Sequence, residues 1–174
     1  RLNADLGLNC GAGQPAPPVS GRRPRRRPRR ITRVTAKVRG LMAIDFHPHA
    51  GSVLVCDFSG FVAPEMTKMR PVIVITPRLP HRSGIATIVP ISSTAPIHEH
   101  GYCVKLSKNY HPTEQVIVDT WAKCDMVMNV GLARLTSFKV GRRRYITPRL
   151  TAADLQAVRN GVLWGLGLQA LIPP

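Results

Sequence analysis

Acidic residues are scarce in this chain. Nine Asp and Glu stand against twenty-five Lys and Arg, for a net charge of +16. The excess is unevenly spread. Residues 1–41 hold eleven basic residues and one Asp, and residues 42–174 hold fourteen and eight. Long apolar runs are also missing. No stretch of eighteen apolar residues occurs and no apolar h-region lies near the start, so neither a membrane-spanning helix nor a secretory signal is expected. A cytoplasmic protein without membrane contact is the reading. The four cysteines (Cys10, Cys56, Cys103, Cys124) include no CxxC pair. This argues against a zinc ribbon or a disulfide framework and for reduced, buried thiols. The six histidines come closest in "HPH" (47–49) and "HEH" (98–100). Neither has helical i, i+4 spacing, and Pro48 spoils strand spacing in the first, so neither a metal nor a cofactor is expected. No internal repeat is visible.

What is abundant is proline (16) and glycine (14), which favours short strands and many turns. The segment "GQPAPPVSGRRPRRRPRRITRVTAKVRG" has no apolar periodicity and cannot bury enough surface to offset its ordering entropy. Residues 1–41 are therefore expected to be a disordered tail. The chain opens on Arg1, and Met42 is the first methionine of the globular part. The tail is read as upstream sequence outside the native coding region; if native, it is an arm that neutralises nucleic-acid phosphates without sequence preference.

From Met42 onward the pattern is orderly and suggests one domain, residues 42–174. "GSVLVCDF" (51–58), "PVIVIT" (71–76), "IATIVPIS" (85–92) and "GYCVKL" (101–106) read as strands. The second is a continuous apolar run, so it should be buried on both faces or lie at a barrel centre. The proline inside the third suggests a bulge or a strand end. "EQVIVDTWAKCD" (114–125) starts as a strand. "VGLARLTSF" (130–138) and "RRYIT" (143–147) are shorter candidates, with a basic turn between them. The period then changes: Leu155, Val158, Val162 and Leu166 recur at helical spacing over 151–166. Thr151 and Asp154 resemble a capping box, with Gly165 and Gly167 as stops. The expected fold is mostly β, five to seven short strands closed into a small barrel with a C-terminal helix packed on it.

Glu65, four intervening residues, Arg70-Pro71 leading a Val/Ile strand, and "VPIS" (89–92) about twenty residues on form a specific combination. With "WAKCD" (121–125) and the terminal helix, the order resembles the MazF/PemK family of type II toxin–antitoxin endoribonuclease toxins over about residues 48–168. The resemblance implies a small SH3-like antiparallel barrel (CcdB/PemK-like) and a homodimer. It also implies sequence-selective, metal-independent cleavage of single-stranded RNA and a cognate antitoxin that masks the same face. RNA supplies its own nucleophile, the 2′-hydroxyl. A protein need only deprotonate it, stabilise the phosphorane and protonate the 5′-oxygen.

Arg70 is the first candidate. Pro71 stiffens the backbone there, and a guanidinium suits a phosphate. Ser92 falls where the family has Thr or Ser and could donate to a phosphate oxygen, with Ser93 and Thr94 as neighbours. Glu65 corresponds to the family's loop carboxylate, although Pro64 stands where some members carry His. Lys123-Cys124-Asp125 resembles the PemK-branch Arg-Cys-Asp, with Asp125 as base toward the 2′-hydroxyl and Lys123 keeping the charge without the fork. Asp119, Thr120, Trp121 and Arg78 are read as lining the RNA groove. Arg142, Arg143 and Arg144, beside Tyr145, could track phosphates. An acid role for His47 or His81 stays open, since histidine titrates near neutral pH. Two other readings stay open: a CcdB-like toxin binding a protein target such as gyrase, and a non-catalytic SH3-like RNA-binding module.

Overall fold

β-branched residues fill the centre of the observed sheet. The structure is a computed structural model, and it describes residues 37–38, 41–114 and 117–172. Its strands are β1 (Lys37–Val38), β2 (Leu41–Met42), β3 (Val53–Cys56), β4 (Arg70–Val74), β5 (Ile85–Ser92), β6 (Cys103–Lys105), β7 (Trp121–Lys123), β8 (Met128–Gly131), β9 (Leu135–Thr136), β10 (Phe138–Gly141) and β11 (Arg144–Ile146). One α-helix follows, α1 (Ala152–Gly165). The expectation of a disordered tail over 1–41 falls almost wholly outside the described residues. Within it, β1 pairs antiparallel with β2.

β5 is the hub. One of its edges pairs with β4, and the other pairs first with β8 (Ile85 to Ile88) and then with β7 (Ile91 and Ser92). Pro90 lies at the handover between those two partners. On that edge Pro90 has no ladder partner, although it pairs with Val72 of β4 on the other, which is why a proline is tolerated inside a central strand.

Alternation divides the sheet's side chains between two cores. Val53, Ile73, Val89 and Ile91 pack with Ala122, Val158 and Val162 on the face that α1 covers. Leu54, Val72, Val74 and Ile88 pack with Phe58, Val130 and Leu135 on the other. Burial on both faces explains the unbroken apolar run of β4.

The expected barrel closure is not made by strand ladders. The strand order is β6-β7-β5-β4-β3-β9, with β8 on β5, and no ladder among the described residues joins the ends of this path. The reason lies in one segment. β8 and β9 are a single stretch broken by a 3-10 turn at Leu132–Arg134, which carries the chain from β5 to β3. Residues 117–118 are turn and bend and 119–120 are irregular, so only Trp121–Lys123 of the expected 114–125 strand forms, with Gln115 and Val116 outside the described residues. The basic turn narrows to Arg142–Arg143, because Lys139 and Val140 belong to β10.

α1 starts where its cap predicts. Thr151 Oγ1 accepts from the Asp154 N–H (3.1 Å). The reciprocal half of a capping box is replaced. The Asp154 carboxylate accepts from Ser107 Oγ (2.6 Å) and Tyr110 Oη (2.6 Å), while the Thr151 N–H donates to that same tyrosine oxygen (3.1 Å). The helix ends in a Schellman motif: Leu168 N–H reaches Leu163 O (2.8 Å) and Gly167 N–H reaches Trp164 O (3.0 Å), with Gly167 at φ +74°. Leu166, expected on the core face, lies beyond the last turn and is exposed.

Candidate active site

Arg70 is the first residue of β4, and its side chain is exposed. β4 pairs with β5 as Val72 with Pro90, so continuing that register by two residues sets Arg70 opposite Ser92. Ser92 in turn pairs with Trp121, and Trp121 with Lys105. A cross-strand row therefore runs Arg70, Ser92, Trp121, Lys105. The Lys105 ammonium meets the Asp119 carboxylate at 2.7 Å. Both groups are more than half exposed, so the pair contributes little stability. Ser92 Oγ also accepts from the Thr94 N–H (3.1 Å), which closes the turn after β5.

Arg70 borders a cleft of about 80 Å³ at the same strand ends. Its floor is apolar, with Val53, Pro71, Ile91 and Tyr110; its polar wall is Ser93, Asn109, His111, Glu114 and Thr120. The volume suits a few waters or one phosphate-sized group. Thr120 is the unusual member. It is 95% buried, yet its hydroxyl has no hydrogen-bond partner among the described residues. Such a group costs about 1–3 kcal/mol unless something satisfies it.

The cleft brings Arg70, Ser93 and Thr120 together with three residues that the sequence reading missed: Asn109, His111 and Glu114. All three lie on the loop after β6. Asn109 Oδ1 accepts from the His111 N–H (2.9 Å), and Asn109 Nδ2 donates to Glu114 Oε2 (3.3 Å). A polar cluster "NYHPTE" was visible in the sequence, but its approach to Arg70 is long-range and left no local signal.

Lys123 and Asp125 do not line this cleft. β7 runs antiparallel to β5, so beyond Trp121 the chain moves away from Ser92. Asp125 lies four residues further on, in the 3-10 turn Cys124–Met126 under the end of α1. Lys123 Nζ approaches Cys103 Sγ at 4.0 Å. Glu65 is occupied in its own loop, where its carboxylate accepts from the Val62 N–H (3.0 Å). Arg78 lines a second, larger groove of about 880 Å³ with His47, His49 and Arg149. Arg142, Arg143 and Arg144 are exposed at the β10–β11 hairpin, whose turn takes Arg143 to φ +58°. His81 sits in the loop after β4, at φ +58°.

Other polar groups are structural. Arg134 Nη1 donates to Asp57 O (3.0 Å) and Ser59 O (2.9 Å), and its guanidinium covers the Phe61 ring at 5.1 Å. Burial pushes the Cys56 and Cys124 thiols up to about 12, so neither is a nucleophile near neutrality. Among the described residues no group of three or more His, Cys, Asp or Glu converges on a point that could hold a metal. No described helix is long and apolar enough to cross a membrane.

Comparison with known proteins follows the same lines. The Escherichia coli K12 protein YifN is 28% identical over 137 residues, covering 66% of this chain and 91% of its own. MazF of Deinococcus radiodurans superposes with a TM-score of 0.52 at 20% identity, covering 71% of this chain and 99% of that one. A mycobacterial endoribonuclease solved with its cognate antitoxin gives 0.50 at 16%, covering 70% and 97%. At these identities the structural likeness is one of fold. The family model of PemK-like, MazF-like toxins matches residues 49–164, from the residues before β3 to the last turn of α1. The chain belongs to the PemK-like, MazF-like toxins of type II toxin–antitoxin systems.

Proposed function

We propose that this protein is a sequence-selective endoribonuclease toxin. In this reading it cleaves single-stranded RNA by attack of the 2′-hydroxyl without a metal, and a cognate antitoxin neutralises it by covering the cleft face. The observation that carries the reading is Arg70 at the rim of a phosphate-sized cleft whose wall holds Ser93 and the buried, unpartnered Thr120 hydroxyl. Arg70 stabilises charge on the phosphorane, which its fork of donors suits and its reluctance to lose a proton permits. Ser92 and Ser93 supply hydroxyls beside it, and Trp121 and Arg142 to Arg144 are assigned to the flanking RNA. Lys123 and Asp125 enter only through the family resemblance. The mycobacterial endoribonuclease solved with its cognate antitoxin supports the partner assignment. A homodimer is supported by exposed Trp164, Leu166, Leu168 and Leu171 near the C-terminus. Passage of one chain segment from β8 to β9 supports an SH3-like barrel closed through the backbone instead of through a ladder.

The test is incubation of the protein with mixed-sequence RNA in EDTA. Fragments with 2′,3′-cyclic phosphate and 5′-hydroxyl ends are expected. Arg70→Ala should cut at least about 100-fold more slowly, the size expected for losing a positioned donor to the transition state, with unchanged thermal melting. Intact RNA, or an Arg70→Ala protein that cuts normally, overturns the reading. Intact RNA would favour a CcdB-like, protein-binding toxin.

A further inference from the structure

Arg70 and two hydroxyls explain charge stabilisation, but they leave the leaving 5′-oxygen without a proton. Arginine holds its proton too tightly, and a serine or threonine hydroxyl is no acid near neutral pH. Tyr110 has its hydroxyl committed between Thr151 and Asp154. Asn109 does not titrate. Among the groups lining the cleft, the one whose chemistry suits the task is the imidazole of His111.

His111 is held as such a group needs to be. Its ring stands edge-on to Phe138, with centroids 4.8 Å apart and planes at 80°. Its backbone N–H is tied to Asn109. Nδ1 accepts from the Thr113 N–H (3.4 Å) and lies 3.2 Å from Thr113 Oγ1, which can take a hydrogen bond from it when the ring is protonated. Nε2 faces Glu114 Oε1 at 3.8 Å. That separation is too long for a hydrogen bond, so the carboxylate stands beside the ring without capping it. Nε2 is thereby left for another acceptor. Arg70 is the other charged group bordering the cleft, and its positive charge favours an anionic substrate there.

We propose that His111 is the general acid of this cleft, a catalytic residue for RNA cleavage, with Glu114 as its positioning residue. The proposal rests on the ribonuclease reading above. In the step, the 2′-oxygen forms its bond to phosphorus and the bond from phosphorus to the 5′-oxygen breaks. The imidazolium Nε2 proton goes to that 5′-oxygen, giving the 5′-hydroxyl product. The 2′-hydroxyl proton passes to water, and water later returns a proton to the ring. Thr120 and Ser93 donate to the non-bridging oxygens of the same phosphate.

A substrate whose leaving atom needs no proton isolates this role. RNA with sulfur in place of the 5′-bridging oxygen departs as a thiolate. His111→Asn should slow cleavage of ordinary RNA by roughly 10²–10⁴-fold, the span of general acid catalysis, and leave the 5′-thio substrate cut at the wild-type rate. Glu114→Gln should lose less on ordinary RNA, and the thio substrate should erase that loss too. Arg70→Ala should slow both substrates. Normal cutting of the thio substrate also shows that the His111 variant is folded. Equal slowing of both substrates by His111→Asn, or no slowing of either, overturns the assignment while leaving the ribonuclease reading intact. A wild type that cuts neither substrate overturns both.

Discussion

Tyr110→Phe removes one oxygen atom and should weaken the protein out of proportion to its size. That oxygen sits between two elements. It donates to Asp154 Oδ2 at 2.6 Å and accepts from the Thr151 N–H at 3.1 Å. Asp154 is 93% buried. Burial by itself would raise its pKa, but hydrogen bonds from Ser107, Tyr110 and Thr151 outweigh this and hold the carboxyl below the ordinary range. A hydrogen bond to a charged acceptor contributes about 1.5–3 kcal/mol, and the substitution also orphans a backbone N–H at the helix start. A loss of about 2–3 kcal/mol is expected, or roughly 4–12 °C in Tm for a chain of this size. The direction of the pKa shift sets the pH dependence. A carboxyl whose folded pKa is depressed contributes fully above its unfolded value, near 3.9, and the contribution fades as pH falls through the folded value. Tyr110→Phe should therefore cost more at pH 7 than at pH 3. Urea unfolding of the wild type, Tyr110→Phe, Asp154→Asn and the double variant at both pH values checks this. The pair should show a coupling of about 1–2 kcal/mol at pH 7. A Tyr110→Phe cost under about 0.5 kcal/mol, or one that does not change with pH, would refute the reasoning.

Thr120→Val should raise stability by about 1 kcal/mol, because it replaces an unpartnered buried hydroxyl with a methyl of the same shape, yet slow RNA cleavage by about 10–100-fold. Denaturation and cleavage assays on one preparation read both. Gly161→Val should destabilise by about 2 kcal/mol, since even a Cβ there would lie 2.6 Å from Val104 Cγ2 and 2.8 Å from Cys124 Sγ. Thermal melting checks it, and trimming Val104 to Ala should recover part of the loss.

The strands around Arg70 were legible because they declare themselves locally. β5 spans the stretch expected for it, and its interior proline marks a change of partner. The helix was legible through Thr151 and the Val158/Val162 spacing. What escaped were relations between distant residues. Asp154 looks like half of a capping box, but its carboxylate is claimed by Ser107 and Tyr110, more than forty positions away. The break between β8 and β9 escaped because a three-residue 3-10 turn splits what reads as one strand. For the site, Arg70 was singled out by the proline after it, whereas His111 reaches the cleft only because the loop following β6 folds back over Ile91 and Val53. Lys123 and Asp125 were chosen for their likeness to a triplet; strand direction carries them away from Ser92.

The dependence of β5 on β7 and β8, and of β3 on β9, fixes the order in which a growing chain becomes dangerous. Arg70 and the serines leave the ribosome early, but the strands that hold them wait for residues 121–136, and the helix that seals their underside waits for residue 165. Since synthesis runs from the N-terminus, an unfinished chain carries the arginine without the pocket. In the ribonuclease reading, a working cutter exists only once residues 121–165 have joined the strands made before them.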